Sequence, residues 1–300
     1  MVAPVAGPTS PADVVAALAG VGYLADDDLA TVTYLALDLP RPLLLEGEPG
    51  TGKTALAEAL AAALAVPLVR LQCYEGIDAA QALYDWDFPR QILHLRTLEA
   101  TGAARAATDP AGVERLEQGL YDERFLLARP VLRALRESPA VLLVDEVDRA
   151  DDEFEANLLE VLATYRLSVP ELGTVEAVTP PVVVLTSNRT RELHDALKRR
   201  CLYHWIDHPT HEREVAIVRE RAPEVADALA AQVVTVVQRI RTDGGLVKPP
   251  GVAETLDWAR ALDRIGGGLD AATASATLGA LVKYREDGEL VRASLGRLLG

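Results

Sequence analysis

The chain has 300 residues, 49% of them hydrophobic, which is enough to bury one large α/β core and a smaller second core. Its formal net charge of −15 argues against a broad surface for nucleic acid or anionic membrane and leaves room only for a local basic groove. The two cysteines, Cys73 and Cys201, are isolated, so their spacing predicts neither a disulfide framework nor a zinc site.

The first residues of the chain do not read as a targeting segment. Residues 1–10 are rich in proline and small residues but lack both a basic start and a sustained apolar run, so no signal peptide is expected. No apolar stretch approaches the roughly 20 residues of a membrane span. We therefore expect a soluble, cytoplasmic protein with a flexible leader.

Hydrophobic periodicity predicts a series of helices and strands through the first two thirds of the chain. Two short helices, around 12–19 and 26–37, precede the first strand. A long segment, 73–138, has helical patterns such as 125–135, and its Ala/Thr/Gly-rich stretch 100–109 is predicted to be an exposed insert. The predicted strands are 43–45, 67–72, 141–144, 182–186 and 202–206.

Apolar strands that alternate with helices indicate a parallel sheet covered on both faces, so we expect an α/β fold with five parallel strands. After Pro209 the strand signal disappears, and the remaining sequence reads as helices interrupted by glycine- and proline-rich breaks. We therefore expect two domains, an α/β domain over 1–209 and a small all-α domain over 210–300.

The most informative motif lies between an apolar run, 42–45, and an Ala/Leu-rich helical stretch, 55–66, where eight residues match the pattern G-x-x-x-x-G-K-[ST]. Glycines let the backbone curl around a triphosphate, and the following helix directs its positive end at the same phosphates. Lys53 would reach the β- and γ-phosphates, and the Thr54 hydroxyl would ligate Mg²⁺. The motif therefore predicts a nucleotide-binding loop rather than an ordinary glycine-rich turn. Its residues are Gly47, Glu48, Pro49, Gly50, Thr51, Gly52, Lys53 and Thr54.

Polar side chains follow the third and fourth predicted strands. Asp145, at the tip of the third, would hold the water shell of Mg²⁺, and Glu146 suits a general base that polarises the attacking water. A solvated acidic turn is the plainer interpretation, but the position about 90 residues after the P-loop favours the catalytic one. Asn188 closes the fourth strand, where an amide can donate to the γ-phosphate and accept from the same water. The alternative interpretation is that Asn188 is an asparagine of an ordinary turn, a position where this residue is common.

A short helix predicted further along the chain ends in the basic cluster 198–200. Basic side chains at a helix C-terminus often only complement the helix dipole. At this position they could instead reach the γ-phosphate bound to a neighbouring subunit, as an arginine finger does. We favour Arg200 over Arg199 for that role.

With these motifs the chain resembles the AAA+ ATPases and, within them, the MoxR family. Gly47–Thr54 matches the Walker A motif, Val141–Glu146 the Walker B motif, and Asn188 the sensor 1 residue. The turn-rich segment 166–178 looks like the β-hairpin that this branch carries before sensor 1. The stretch 188–205 looks most like the CoxD-like subgroup, which is associated with maturation of carbon monoxide dehydrogenase and related molybdenum hydroxylases.

The resemblance implies a ring, expected to be a hexamer, that hydrolyses ATP at the interfaces between subunits. Mg·ATP would lie between the α/β domain and the helical lid, with Glu146 and Asn188 positioning water and Arg200 of the next subunit stabilising the transition state. Hydrolysis would move the lid and the 166–178 hairpin against a protein client, together with a partner that carries a von Willebrand factor A domain. The region 22–24 is a candidate for the adenine contacts.

The resemblance spans roughly residues 20–265 and departs from the family at one important position. MoxR proteins usually place a sensor 2 arginine at the start of a lid helix, after a Ser-Pro, but the matching stretch here, 247–251, contains no arginine. Lys248 could substitute, although a lysine lacks the planar fork for bidentate phosphate contact. Asp148 stands where many relatives carry Asn, which should matter little. The sequence therefore supports hydrolysis more strongly than its coupling to lid motion.

Three other functions use the same scaffold or motif. A nucleic-acid motor or loader would need basic residues on the 166–178 hairpin, where only Arg166 stands beside two glutamates. A nucleotide-dependent binding module with little hydrolysis would agree with the weak sensor 2 match. A P-loop kinase of small molecules would explain the Walker motifs, but not the sensor asparagine, the arginine pair and the helical lid together.

Overall fold

A computed structural model describes residues 7–101, 114, 118–243, 245–266 and 268–300 of the chain. Within these ranges the strands are β1 (Leu43–Glu46), β2 (Leu68–Gln72), β3 (Tyr84–Trp86), β4 (Leu126–Ala128), β5 (Val141–Asp145), β6 (Arg166–Val169), β7 (Gly173–Glu176), β8 (Val182–Ser187) and β9 (Leu202–Trp205). The α-helices are α1 (Pro11–Ala19), α2 (Asp27–Asp38), α3 (Lys53–Ala63), α4 (Ala79–Ala82), α5 (Phe88–Ala100), α6 (Pro130–Arg136), α7 (Asp152–Thr164), α8 (Asp195–Arg200), α9 (His211–Arg221), α10 (Asp227–Asp243), α11 (Val252–Ile265), α12 (Ala271–Leu281) and α13 (Arg285–Leu299).

Five strands form one parallel sheet in the order β2-β5-β8-β1-β9. They are the five strands predicted from the sequence, each within one residue of its predicted ends, so the predicted α/β sheet is confirmed. The register pairs Glu46 with Ser187 and Gln72 with Asp145, which aligns the carboxyl ends of the strands along one edge. In open parallel sheets ligands bind outside that edge.

Alternate residues of the strands pack on opposite faces of the sheet. Leu43 and Leu45 pack with α1, α2 and α3, whereas Leu44 packs with residues of α6, α7 and α8 on the other face. Burial on both faces explains why the strands are almost continuously apolar. In the part of the chain described, no helix is both long enough and apolar enough to cross a membrane.

Between β2 and β5 the chain forms a small antiparallel sheet, β3–β4, with α5 between its two strands. The prediction of helix across 125–135 is wrong for its first part, because Leu126–Ala128 pair with Tyr84–Trp86 and α6 begins only at Pro130. Proline fits the first turn of a helix and disfavours helical backbone at the residue before it. Most of the insert predicted at 100–109 lies outside the described residues.

The hairpin predicted at residues 166–178 is present. Strands β6 and β7 pair antiparallel, and the chain turns back through residues 170–172 to Gly173, which has φ +88°. Arg166 and Glu176 stand opposite each other in the register and form a salt bridge of 2.8 Å. The single basic residue of this segment is therefore in contact with a carboxylate.

Helices α9 to α13, together termed the lid, pack around a core of their own. In this core Trp258 is fully buried and donates its indole N–H to Thr277 Oγ1 at 2.8 Å. A buried ion pair joins three of these helices. Arg241 of α10 donates to both carboxylate oxygens of Glu214 of α9, at 2.6 and 2.8 Å. Thr255 of α11 donates to the same carboxylate at 2.7 Å, so the pair fixes where α11 lies relative to α9 and α10.

Replacing Arg241 by Met is expected to lower the free energy of unfolding by about 3–5 kcal/mol, because it leaves the buried Glu214 carboxylate without its cation. Arg297→Met is the matched control, since Arg297 and Asp243 form a pair in which both side chains are exposed. Exposed pairs contribute about 0–1 kcal/mol. Urea denaturation followed by tryptophan fluorescence measures both losses, and equal losses would show that the buried pair does not stabilise the lid.

Candidate nucleotide-binding site

A cleft of about 750 Å³ lies between the carboxyl edge of the sheet and the helical lid, which contributes α9 and α11 to its lining. This volume is typical of small-molecule sites. The cleft is lined by Pro49–Thr54, Asp145, Glu146 and Asn188, so residues that follow three separate strands meet in one place. Gly22–Leu24, the candidate adenine region, lines the same cleft.

The loop after β1 requires glycine at two positions. Gly47 has φ +154°, and a Cβ there would lie 2.3 Å from the Ile206 carbonyl oxygen. Gly50 has φ +80°, and a Cβ there would lie 3.0 Å from Gly251 Cα. Helix α3 starts at Lys53 without a side-chain cap, so its first backbone N–H groups are available to an anion. The loop therefore fits a phosphate chain in both shape and donors.

Lys53 is held against the same loop. Its Nζ donates to the carbonyl oxygens of Gly47 at 2.7 Å and Glu48 at 2.8 Å, and its side chain is buried. Burial lowers the pKa of this ammonium group from its ordinary value, while the carboxylates of Asp148, Glu48 and Asp145 oppose that shift. An anion bound beside Lys53 would stabilise this buried ammonium group, because a charge-assisted hydrogen bond offsets the solvation that the group has lost.

Asp145 and Thr54, predicted from two separate motifs, contact each other directly. Thr54 Oγ1 donates to Asp145 Oδ1 at 2.9 Å, and Thr186 Oγ1 donates to the same oxygen at 2.6 Å. Arg70 Nη2 donates to the other carboxylate oxygen, Oδ2, at 2.5 Å. A hydroxyl and a carboxylate are the hard oxygen ligands that Mg²⁺ prefers, so Thr54 and Asp145 fit that ion.

Glu146 leaves the strand in the left-handed region, with φ +55° and ψ +50°, which is uncommon for a residue other than glycine. Its backbone N–H donates to Thr186 Oγ1 at 2.9 Å. Because successive strand residues point to opposite faces, this turn allows Asp145 and Glu146 to line one cleft. The Glu146 carboxylate accepts hydrogen bonds from Asn188 Nδ2 at 3.2 Å and from Gln72 Nε2 at 3.1 Å.

A second carboxylate, Asp148, positions the backbone at Asn188. Asp148 is 2% exposed and accepts from the Asn188 N–H at 3.2 Å. It also accepts from the N–H and the hydroxyl of Thr190, both at 2.7 Å. The Asp148 side chain therefore shapes the turn that carries Asn188.

Four residues that contact Asp145 or Glu146 were not predicted from the sequence to do so: Arg70, Gln72, Arg149 and Thr186. Arg70 and Gln72 stand two apart at the carboxyl end of β2, so they share one face of the sheet beside β5. This pair of polar residues, two positions apart at the end of a predicted strand, was the feature of the sequence that could have indicated these contacts. Thr186 stands near the end of β8, two residues before Asn188, where a hydroxyl interrupts an apolar strand.

Arg199 and Arg200 lie at the end of α8, outside the cleft of their own chain. Both side chains are exposed, and within the described residues neither one forms a salt bridge or a hydrogen bond. Their backbone carbonyls accept from Arg41, at 2.9 Å for Arg199 and 3.2 Å for Arg200, which fixes the end of the helix. Both guanidinium groups are thus available to another molecule.

Lys248 is not brought to the cleft. Its side chain is exposed, and its backbone N–H donates to Asp287 Oδ2 at 3.1 Å. The arginines of the described lid that line the cleft are Arg213 and Arg221, both on α9. Arg213 donates to the Leu24 carbonyl oxygen at 2.7 Å and so ties the lid to the candidate adenine region.

The lid also contacts the phosphate-binding loop through backbone atoms. The N–H of Val252, the first residue of α11, donates to the Gly50 carbonyl oxygen at 2.9 Å. Gly251 packs so closely on the loop that a Cβ there would lie 2.7 Å from Gly50 Cα and 2.9 Å from its carbonyl oxygen. The position of the lid and the shape of the loop are therefore linked.

Gly251→Ala is expected to weaken nucleotide binding about tenfold and to lower the free energy of unfolding by about 1–3 kcal/mol, as an overpacked contact does. Gly251 has φ −84°, which alanine adopts without strain, so the effect would come from the contact with Gly50. Gly279→Ala is the matched control, because a Cβ there meets open space. Titration with a fluorescent ADP and thermal unfolding measure the two effects. Unchanged binding in Gly251→Ala would show that the lid contact does not shape the loop.

Two curated proteins illustrate what this chain is similar to. An uncharacterised protein of Staphylococcus haemolyticus is 25% identical over 223 residues, which cover 72% of this chain and 74% of that protein. The ATP-dependent zinc metalloprotease FtsH of Heterosigma akashiwo is 27% identical over 134 residues, which cover 41% of this chain and 20% of FtsH.

A solved structure and a family model complete the comparison. A mutant of Thermotoga maritima RuvB aligns with 16% identity and a TM-score of 0.47, over 93% of this chain and 72% of that one. The sequence model of the AAA domain, dynein-related subfamily, matches residues 42–201, which are more than half of the chain and include the loop, both carboxylates and Asn188. The chain therefore belongs to the AAA domain family, dynein-related subfamily.

Proposed function

We propose that this protein is a MoxR-like AAA+ ATPase that hydrolyses ATP at the interfaces between subunits of a ring and uses the hydrolysis to remodel a protein client. The observation that carries the proposal is the composition of the cleft. A phosphate-binding loop, a hydroxyl–carboxylate pair and a second carboxylate with an amide partner come together there. Phosphoryl transfer to water needs positioning and charge more than covalent chemistry, and these groups supply both.

In this proposal Lys53, Thr54 and Asp145 hold Mg·ATP together with the N–H groups of the loop. Magnesium, when bound, neutralises charge on the phosphate oxygens. Glu146 accepts the proton of the attacking water, and Asn188, whose amide lies 3.2 Å from the Glu146 carboxylate, orients the same water. The direct contacts among these side chains support the roles.

The arginine finger comes from the next subunit. Arg200 lies outside its own cleft and its side chain has no partner among the described residues, which supports a role in trans. Such a finger makes turnover depend on assembly, because its absence costs about 10³–10⁵ in rate. By resemblance to MoxR proteins, we expect the ring to be a hexamer in the cytoplasm.

The moving parts would be the lid, residues 210–300, and the β6–β7 hairpin. Because Val252 of the lid contacts Gly50 of the loop, a change in the nucleotide can be transmitted to the lid. The hairpin segment exposes Leu172 and Val178, which offer apolar contacts to a client. We propose a client of the molybdenum hydroxylase class, as the CoxD-like resemblance implies, with a partner that carries a von Willebrand factor A domain.

A nucleotide-dependent binding module with little hydrolysis is the second candidate. It is favoured by Lys248, which lies outside the cleft and leaves the sensor 2 position without its usual cation. A nucleic-acid motor has less support, because Arg166 of the hairpin is already paired with Glu176.

Steady-state ATP hydrolysis measured against protein concentration tests the proposal. The rate per subunit is expected to rise with concentration and to level off once rings form, and EDTA is expected to abolish it. A rate per subunit that does not depend on concentration would argue for a monomeric switch or kinase. Nucleotide binding without measurable hydrolysis, at concentrations where rings are present, would favour the binding module.

A further inference from the structure

A cation already contacts the carboxylate that is proposed to hold the metal. Arg70 reaches across from β2 and places Nη2 2.5 Å from Asp145 Oδ2. The Asp145 side chain is 5% exposed, whereas the Arg70 side chain is 49% exposed. A partly solvated arginine therefore pairs with a buried carboxylate. Within the described ranges, no other cation forms an ion pair with this carboxylate.

Asp145 gains from a cation because a buried carboxylate without one is costly. The hydroxyls of Thr54 and Thr186 donate to Oδ1, but they carry no charge. Arg70 supplies a positive charge at Oδ2 through a charge-assisted hydrogen bond. Arg70 therefore stabilises the same carboxylate that the metal would bind.

The same contact conflicts with a divalent ion. Thr54 and Asp145 are the residues proposed to hold Mg²⁺, so this role of Arg70 rests on the proposed function. A guanidinium and a divalent cation on one carboxylate repel each other, and the repulsion is strong in a partly buried site. We infer that Arg70 is a built-in counter-ion of the metal site, which pairs with Asp145 when the metal is absent and is displaced when the metal binds.

Gln72 gives the displaced side chain a second partner. Its Oε1 accepts from the same Arg70 nitrogen at 2.9 Å, so Arg70 can leave Asp145 while it stays bonded at the sheet edge. The exchange lowers the apparent affinity for the metal, because the Arg70–Asp145 pair must first break. Arg70 thus acts on the metal through Asp145, as a positioning residue.

Binding of Mn²⁺ in the presence of saturating ADP, followed by electron paramagnetic resonance, tests this role without relying on turnover. Arg70→Gln removes the charge and is expected to bind Mn²⁺ about tenfold more tightly than the wild type. Arg70→Lys keeps the charge but loses the planar fork, so we expect an affinity between the two. Arg124→Gln makes the same change in charge at an exposed position outside the cleft, and it is expected to match the wild type.

Unchanged or weaker Mn²⁺ binding in Arg70→Gln would overturn the inference and would indicate that Arg70 only braces the sheet or contacts the nucleotide. If Arg70→Gln does not fold, Arg70→Lys decides the question, because it must bind Mn²⁺ more tightly than the wild type. Failure of the proposed function would look different. In that case Thr54→Ala and Asp145→Asn would leave the binding of Mn²⁺ with ADP to the protein unchanged.

Discussion

Replacing Glu146 by Gln is expected to lower the steady-state rate of ATP hydrolysis by about 10²–10⁴-fold, the range for loss of a general base. The amide keeps the shape of the side chain but cannot take a proton from water. Nucleotide affinity should stay within about twofold of the wild type, because the phosphate and metal contacts are assigned in our proposal to Lys53, Thr54 and Asp145 rather than to Glu146. A fall in turnover without a fall in affinity would separate a catalytic role from a binding role.

Glu153→Gln is the matched control for that change. Glu153 is an exposed residue of α7 outside the cleft, so the same chemical substitution there is expected to leave turnover and binding unaltered. Phosphate release at saturating ATP measures the rate, and titration with a fluorescent ADP measures the affinity. A Glu146→Gln protein that retains more than about a tenth of wild-type turnover would show that another group takes the proton.

Arg200→Ala is expected to lower ATP hydrolysis by about 10³–10⁵-fold, the range for loss of an arginine finger. The affinity for ADP should not change, because the side chain does not line the cleft of its own chain. Light scattering at the assay concentration must show that the variant still assembles, since a missing ring would also abolish turnover.

Arg199→Ala is the control for Arg200, because it removes the same charge one position earlier on the same helix end. We expect a smaller loss of turnover from it. Equal losses in the two variants would make the pair, rather than Arg200 alone, responsible for the effect. Full activity in an assembled Arg200→Ala protein would rule out Arg200 as the finger.

The residues proposed for the phosphate and metal contacts could be identified from the sequence because they lie in short local motifs. The spacing of the glycines, Lys53 and Thr54 indicates a loop at the start of a helix, and this inference does not depend on how the rest of the chain folds. The alternation of strands and helices then predicts a parallel sheet, and a parallel sheet aligns its carboxyl ends. For this reason Thr54 and Asp145 could be expected to lie close together although they stand 91 positions apart in the sequence, and their side chains lie 2.9 Å apart.

The features that could not be predicted depend on which elements become neighbours. Arg70 and Gln72 contact residues that follow β5, and no local pattern shows that β2 pairs with β5. The strand Leu126–Ala128 is too short to be recognised without its partner, which lies far away in the sequence. Lys248 was assigned from the family resemblance, as the basic residue in the stretch that matches the sensor 2 position, but its backbone N–H donates to Asp287 and the residue does not line the cleft.

Mixing the two inactive variants tests most directly the central claim that each active site is built from two subunits. In rings co-assembled from Glu146→Gln and Arg200→Ala subunits, some interfaces join an intact Glu146 to an intact Arg200. For equal amounts that assemble at random, about a quarter of the interfaces are of this kind, so the mixture is expected to recover about a quarter of wild-type ATP hydrolysis. A co-assembled mixture that stays as inactive as either variant alone would contradict the shared site.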